Sequence, residues 1–184
     1  FLFGATPVFS NELPEGGDSK DKRAVRVLVA YYSLSGNTKQ MATSVVKGVE
    51  GVEGVDVKLR KVSNVSKEDL VQTDAIILGS PTYYATIPGK MKVVLDDWAW
   101  KMEVDLTDKV GGAFSTGGGS TGGKEHVVIS LLLFMLNNRM SVAGPLYEAA
   151  KEEKSWGEIG SEAATGPITP GLSAPELGTA NRMW

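Results

Sequence analysis

The chain has 184 residues, 42% of them hydrophobic and 22% charged, with a net charge of −3. That is enough for one domain, or a domain plus a tail, whose folding buries roughly 70% of the unfolded surface. It carries no cysteine and a single histidine, His126, which excludes disulfides, thiolate catalysis and cysteine-ligated metals and argues against a histidine-rich metal site, so any redox chemistry has to sit on a bound cofactor. The mild charge creates no field for nucleic acid or an anionic membrane, and no segment reaches the ~20 apolar residues that span a bilayer.

Residues 1–24, with Pro7, Pro14, Gly16 and Gly17, form an irregular lead-in. Its apolar opening, Phe1 to Ser10, has two readings: the end of an export signal, with Val8 and Ser10 at small-residue cleavage positions, or an arm laid on the domain. The protein is expected in the cytoplasm under the second reading and outside it under the first.

From Val25 onward strand and helix signals alternate, the pattern of an α/β domain with a mostly parallel sheet. Val25–Tyr32 is the first predicted strand; its run Val27-Leu-Val-Ala30 is continuously apolar, as in a strand covered on both faces. Thr38–Glu50 is the first helix, with Met41, Val45, Val46 and Val49 at helical spacing and Gly51 stopping it. Val55–Val62 alternates as a second strand. Ser66 stands three residues before Asp69, a capping box with Asp in place of the usual Glu or Gln, and opens a short helix. Ala75–Leu78 is a central third strand. Pro88 introduces a helix from Gly89 to about Trp100. Val110–Phe114 is a fourth strand, Lys124–Asn137 a strongly apolar helix, and Met140–Ala143 a candidate fifth strand. Ser155–Ser173 reads as a loop and Pro175–Trp184 as a closing helix.

Three connections carry the candidate chemistry. After the first strand, Ser33, Leu34, Ser35, Gly36, Asn37 and Thr38 supply three hydroxyls, a glycine and an asparagine, with no carboxylate, at the start of a helix. Unpaired N–H groups and the positive end of the helix dipole suit a phosphate there, and small hydroxyls donate to its oxygens without crowding them. After the third strand, Pro81, Thr82, Tyr83, Tyr84 and Ala85 either wall a planar heteroaromatic ring or form a turn whose tyrosines pack on the next helix. After the fourth, Ser115, Thr116, Gly117, Gly118, Gly119 and Ser120 join a strand to a helix within one domain; glycines there let backbone approach a flat ligand. An open parallel sheet delivers all its strand C-termini to one edge, so the three connections are expected to meet.

Other candidates have competing readings. Trp98 and Trp100 are packing or dimer-contact residues, or Trp100 caps the ligand's outer face. Asp96 and Asp97 read as a solvated helix end rather than an acid–base dyad. His126 is a surface or capping residue, or a general base.

Taken together, Ser33-Leu-Ser-Gly-Asn-Thr38, Gly79-Ser-Pro-Thr-Tyr-Tyr84, Pro88-Gly-Lys-Met91 with Leu95-Asp96, and Ser115-Thr116 followed by Gly122-Gly-Lys-Glu125 resemble the flavodoxin-like family. They are most similar to its NAD(P)H:quinone oxidoreductase branch, the WrbA group. Trp156-Gly157 and Ser173-Ala-Pro-Glu-Leu177 are similar too, so the resemblance covers roughly Val25 to Trp184. It implies a five-stranded parallel sheet in the order 2-1-3-4-5 that holds FMN. Ser33, Ser35, Gly36, Asn37 and Thr38 would hold the phosphate, Thr82, Tyr83 and Tyr84 would border the isoalloxazine, and Ser115 to Ser120 would line its other polar edge and the ribityl chain. NADH or NADPH would be the reductant and a quinone-like molecule the acceptor, with the flavin carrying the chemistry.

Two positions depart from that branch. Asn137-Asn138 stands where a histidine pair is usual near the flavin, which makes Asn137 the other candidate for acceptor contact, and Ser35 replaces a frequent tyrosine. A flavodoxin-type electron carrier is therefore the alternative reading, and a non-redox anion-binding module a third; the mild −3 charge favours the enzyme over the usually acidic carriers. The Gly-, Thr- and Pro-rich Ser155–Ser173 stretch, placed across a subunit boundary, suggests a homodimer or homotetramer. The phosphate loop holds no basic side chain, and the helix dipole contributes only ~0.3–1 kcal/mol at an exposed site. Nanomolar binding needs about 12 kcal/mol, so many hydrogen bonds and both ring walls have to act together.

Overall fold

The computed structural model describes residues 23–118 and 122–143. The expectations for the lead-in up to residue 22, for Gly119 and Ser120, and for the segments Ser155–Ser173 and Pro175–Trp184 lie outside the described residues. Within them the elements run β1 (Val25–Tyr31), α1 (Asn37–Glu50), β2 (Val55–Lys61), a 3-10 turn (Val62–Asn64), α2 (Lys67–Gln72), β3 (Ala75–Pro81), α3 (Gly89–Trp100), β4 (Val110–Thr116), α4 (Lys124–Asn137) and β5 (Ser141–Val142). All strand pairs are parallel, in the order β2-β1-β3-β4-β5. This is the doubly wound, flavodoxin-like sheet the resemblance implied.

The two-residue period of a strand sends alternate side chains to opposite faces. Leu28 and Ala30 of β1, with Ile76 and Leu78 of β3, meet Met91, Leu95 and Trp98 of α3 and Val127, Leu131 and Met135 of α4. Val27, Val29 and Tyr31 point the other way, with Ile77 and Phe114, onto Ala42, Val45 and Val49 of α1. Gly79 makes room in this second layer: a Cβ on it would lie 2.1 Å from Phe114 Cζ.

Most boundaries fall within a residue of expectation, the usual scatter at element ends. β3 and β4 run further than their apolar cores because polar ends still pair, Ser80 opposite Ser115 and Pro81 opposite Thr116. Ser115 and Thr116 are thus strand residues rather than loop residues. β5 is only two residues long. α4 is not buried all round: Val127, Leu131 and Met135 are buried, while Ile129, Leu133 and Leu136 are exposed. No helix among the described residues is long and apolar enough to cross a membrane.

Candidate cofactor site

β1, β3 and β4 are neighbours in the sheet, so their C-terminal ends deliver three connections to one edge. Hydrogen bonds tie these connections together. Thr38, at the start of α1, pairs its hydroxyl with that of Thr116 at the end of β4, 2.8 Å apart and buried. The Thr82 N–H donates to Thr116 O at 2.8 Å, and the Thr82 and Ser115 hydroxyls lie 3.1 Å apart. Tyr32 donates its N–H to Gly79 O at 2.9 Å, and its ring meets that of Tyr83 edge-on, with centroids 6.3 Å apart. Gly123, at the other end of the third connection, packs so closely on the second that a Cβ would stand 2.7 Å from Ala85 Cα. The three turns meet at one edge, as the sheet logic requires.

The first connection is shaped by Gly36. Its φ of +100° places it where L side chains are strained; its N–H bonds Ser33 Oγ at 3.1 Å, and its carbonyl accepts the first helical N–H, from Gln40, at 3.0 Å. The amides of Asn37, Thr38 and Lys39 precede that first bond and have no intrahelical acceptor. No acidic residue occupies the first turn. Ser35 and Gly36 are exposed, Ser33 and Asn37 half-buried. Thr38 is 1% exposed, and its hydroxyl is engaged by Thr116. When Thr116 donates to Thr38, the Thr38 proton stays free for an anion at the helix start.

The second connection is a tight turn. Tyr83 and Thr86 exchange backbone hydrogen bonds of 3.0 and 3.1 Å, and the two central residues, Tyr84 and Ala85, have φ of 49° and 63°. Two successive positive φ values define the type I′ turn, which prefers Asn-Gly; in other residues each costs of order 1–3 kcal/mol and such strain gathers at functional sites. The strain turns the Tyr84 side chain fully into solvent, where a flat ring can lie against it. Tyr83 is half-buried; burial, and then its neighbour Tyr32, raise its phenol above the usual tyrosine range, so it is a neutral hydrogen-bond donor at physiological pH. Pro81 and Thr82 are half-buried at the end of β3. Sequence reasoning did not find the strain at Tyr84 and Ala85, because Tyr-Ala carries no I′ signature.

In the third connection Gly117 and Gly118 stand at the edge; a Cβ on Gly117 would come 3.1 Å from Lys124 Cγ and 3.5 Å from Thr82 Cβ. Two expected site residues lie elsewhere. α3 and α4 both begin at the loop edge and run back along the sheet, so Trp100 and Asn137, at their last residues, stand about 18–20 Å away at the opposite edge. Trp100 is 81% exposed there, and the geometry brings neither residue to the three loops. Trp98 is core. Asp96 and Asp97 pair with Lys92 and Lys101 one turn away, as a solvated helix end does. His126 is exposed in the first turn of α4. Among the described residues no three His, Asp or Glu side chains gather as a metal site.

The model of the NADPH-dependent FMN reductase family matches residues 24–154. The chain belongs to that family. It is 37% identical over 119 residues to a flavodoxin of Aquifex aeolicus, a match covering 65% of this chain and 64% of that protein, so the chain spans less than two thirds of that relative. It is 30% identical over 149 residues to an NAD(P)H dehydrogenase (quinone) of Geotalea daltonii, covering 67% of this chain and 72% of the relative. Among solved structures, the flavodoxin, WrbA-like protein from Agrobacterium tumefaciens has the same fold with a TM-score of 0.61 at 23% identity, over 86% of this chain and 91% of that one. FMN is the family's cofactor, as expected. The donor set here fits it: a carboxylate-free cluster of hydroxyls and unpaired amides suits a phosphate dianion, and the exposed Tyr84 ring at the same edge suits a flat heteroaromatic.

Proposed function

We propose that the protein is an FMN-dependent oxidoreductase that takes electrons from NADH or NADPH and passes them to a quinone or similar small acceptor. The observation that carries this is the hydrogen-bonded meeting of three turns at one edge, with an anion cradle on one side and the strained, exposed Tyr84 turn on the other. Membership of an NADPH-dependent FMN reductase family supports the reductant, and the similarity to an NAD(P)H dehydrogenase (quinone) supports the acceptor.

In this reading Ser33, Ser35, Gly36, Asn37 and Thr38 hold the phosphate through hydroxyls and amides. Leu34 lies beside the cradle. Pro81, Thr82, Tyr83, Tyr84 and Ala85 border the ring, while Ser115, Thr116, Gly117 and Gly118, continued by Gly119 and Ser120, line its remaining edge and the ribityl chain. Bound FMN supplies hydride acceptance and electron release. The chain's own part is to orient the ring, donate to its polar edge through amides and the neutral Tyr83 phenol, and restrict water. Asn137 and Asn138 are remote from the loops, so the absence of a histidine pair at that place removes no proton donor from this chain's own site. A homodimer or homotetramer remains part of the proposal, checked by light scattering.

The second reading, an electron carrier without NAD(P)H turnover, is favoured by the 37% identity to a flavodoxin. Anaerobic mixing of the FMN-loaded protein with NADH or NADPH separates the two. Rapid bleaching of the flavin band, followed by reoxidation on adding a quinone, is the expected result. A band that persists through the mixing assigns the protein to the carriers.

A further inference from the structure

α4 is apolar almost all the way round. From Val127 to Asn137 it carries no Asp, Glu, Lys or Arg, and a helix of that make-up is normally enclosed. Here only one side is. Val127, Leu131 and Met135 lie in the core, while Ile129, Leu133 and Leu136, at helical spacing on the opposite side, are each more than half exposed.

α3 packs on the same face of the sheet, since the inner sides of both helices meet in one cluster. Its outward residues Val93 and Trp100, two turns apart, are 57% and 81% exposed. Both helices start at the cofactor edge and run the same way. At about 1.5 Å per residue, Val93 therefore lies level with Ile129, and Trp100 with Leu136. The two rows make one apolar surface. The charges beside them on α3 are already matched within that helix, Lys92 to Asp96 and Lys101 to Asp97, so covering the surface strips no ion of its partner.

The five side chains leave roughly 600 Å² open, as much as the largest patch of a typical monomer. Two such surfaces brought together bury roughly 1,200 Å², the lower bound for a stable complex, before any flanking polar residue is counted. Other occupants fit less well. α4 has 14 residues, too few to cross a bilayer. Asp96 and Asp97, on the turn before Trp100, oppose an anionic lipid surface, which favours basic residues beside an apolar stripe. A protein exchanging electrons has to reach the cofactor edge, whereas this surface extends to the opposite edge at Trp100 and Leu136.

We propose that the outward surface of α3 and α4 is the interface of a homodimer, closed by a two-fold axis so that each copy contributes the same five side chains. Trp100 is its main anchor, as exposed tryptophans at interfaces commonly are. This gives the homo-oligomer of the proposed function a surface; it rests on that part of the reading and on none of its redox chemistry.

The test uses the FMN-loaded full chain, followed by light scattering and sedimentation equilibrium from about 1 to 100 μM, a range suited to a small interface. A dimer is expected. Leu133→Glu buries a carboxylate in both copies, and Trp100→Ser removes the anchor from both; each should raise the dissociation constant about a hundredfold or more. Val71→Glu, on α2 and as exposed as Leu133, should leave it unchanged. Far-UV circular dichroism and flavin fluorescence should report an intact fold and full FMN retention in all three variants. The Trp100 signal, taken as wild type minus Trp100→Phe, should become harder to quench with acrylamide as the protein concentration rises. A monomer at every concentration overturns the proposal together with the oligomer of the proposed function, and leaves the flavin's bleaching by NAD(P)H untouched. An oligomer that survives both Leu133→Glu and Trp100→Ser overturns this surface alone. Shielding of Trp100 in a monomer would mean that the same chain covers the surface, and overturns it as well.

Discussion

Thr38 and Thr116 are the hinge pin of the cofactor edge. Their hydroxyls meet in a buried position where water cannot replace either partner. Thr38→Val keeps the shape and removes the hydroxyl, leaving Thr116 unpartnered; the expected cost is about 1–3 kcal/mol. Under the proposed function the same change also removes a donor to the FMN phosphate. FMN retention, followed by flavin fluorescence on dilution, is expected to fall far more in Thr38→Val than in His126→Ala, whose side chain is exposed on α4; equal losses would show that the hydroxyl pair plays no part in holding the cofactor. Gly123 makes the reciprocal case for backbone. At φ +85° and with Ala85 Cα 2.7 Å from where a Cβ would stand, Gly123→Ala meets both a left-handed penalty of about 1–2 kcal/mol and a backbone clash. Urea unfolding should show a loss of at least that size, and the second and third turns should separate enough to weaken FMN binding. The turn and helix start at Ser33-Leu-Ser-Gly-Asn-Thr38 were legible because their signals are local: a glycine, small hydroxyls and the periodic residues that follow. The strain at Tyr84 and Ala85 was not, since neither residue is one that favours positive φ and only the backbone exchange between Tyr83 and Thr86 reveals the turn.

α2 shows how much a short element can owe to one side chain. It has only six residues, Lys67–Gln72, too few to be stable by propensity. Ser66 Oγ accepts the Asp69 N–H and Asp69 returns the bond to the Ser66 N–H, each at 3.1 Å. The Asp works where Glu is usual because its carboxylate is also drawn toward Lys58 on β2. Ser66→Ala should destabilise the protein by about 1 kcal/mol, read as a shift in urea midpoint with unchanged slope. The elements themselves were largely readable: continuous apolar runs gave β1 and β3, and α3 and α4 begin and end at the expected residues. Direction was the harder matter. Trp100 and Asn137 are attractive as site residues only until each helix is given a sense of travel, which carries its last turn to the opposite edge of the sheet. Periodicity marks a helix's faces but not which of its ends approaches a ligand.

The sheet as a whole is anchored at its other edge by Asp74. Its carboxylate accepts two bonds from the Arg23 guanidinium, 2.7 and 2.6 Å, and the Arg26 N–H at 2.8 Å, while its backbone links β1 to β4 through Arg26 O and the Val110 N–H. The Arg23 hydrogen bonds, then the Arg26 amide, hold Asp74 well below the usual carboxylate range. Asp69 is also lowered: burial pushes it up, but the Lys58 hydrogen bond, the Ser66 amide and the charges of Lys58 and Arg60 together outweigh that. In both cases the folded form binds a proton less readily than the unfolded chain, where Asp titrates near about 3.9. Their stabilisation is therefore complete above that pH and is lost as the pH falls through it toward the folded values. Arg23 is two-thirds exposed, so salt screens its share, and the Arg26 amide carries the remainder. The urea midpoint of the wild type should hold between pH 5 and 7 (about one unit above the unfolded pKa and beyond) and drop steeply below about pH 4. Asp74→Asn keeps an oxygen for the Arg26 N–H but has no charge to titrate. It should start from a lower plateau at neutral pH and fall less on acidification, so that the gap between the two curves begins to narrow below about pH 4 and closes only as the pH approaches the folded value of the wild-type carboxyl, well below its unfolded one. Parallel curves with a constant gap would mean that Asp74 acts by packing alone, and that the acid sensitivity of the fold resides in Asp69.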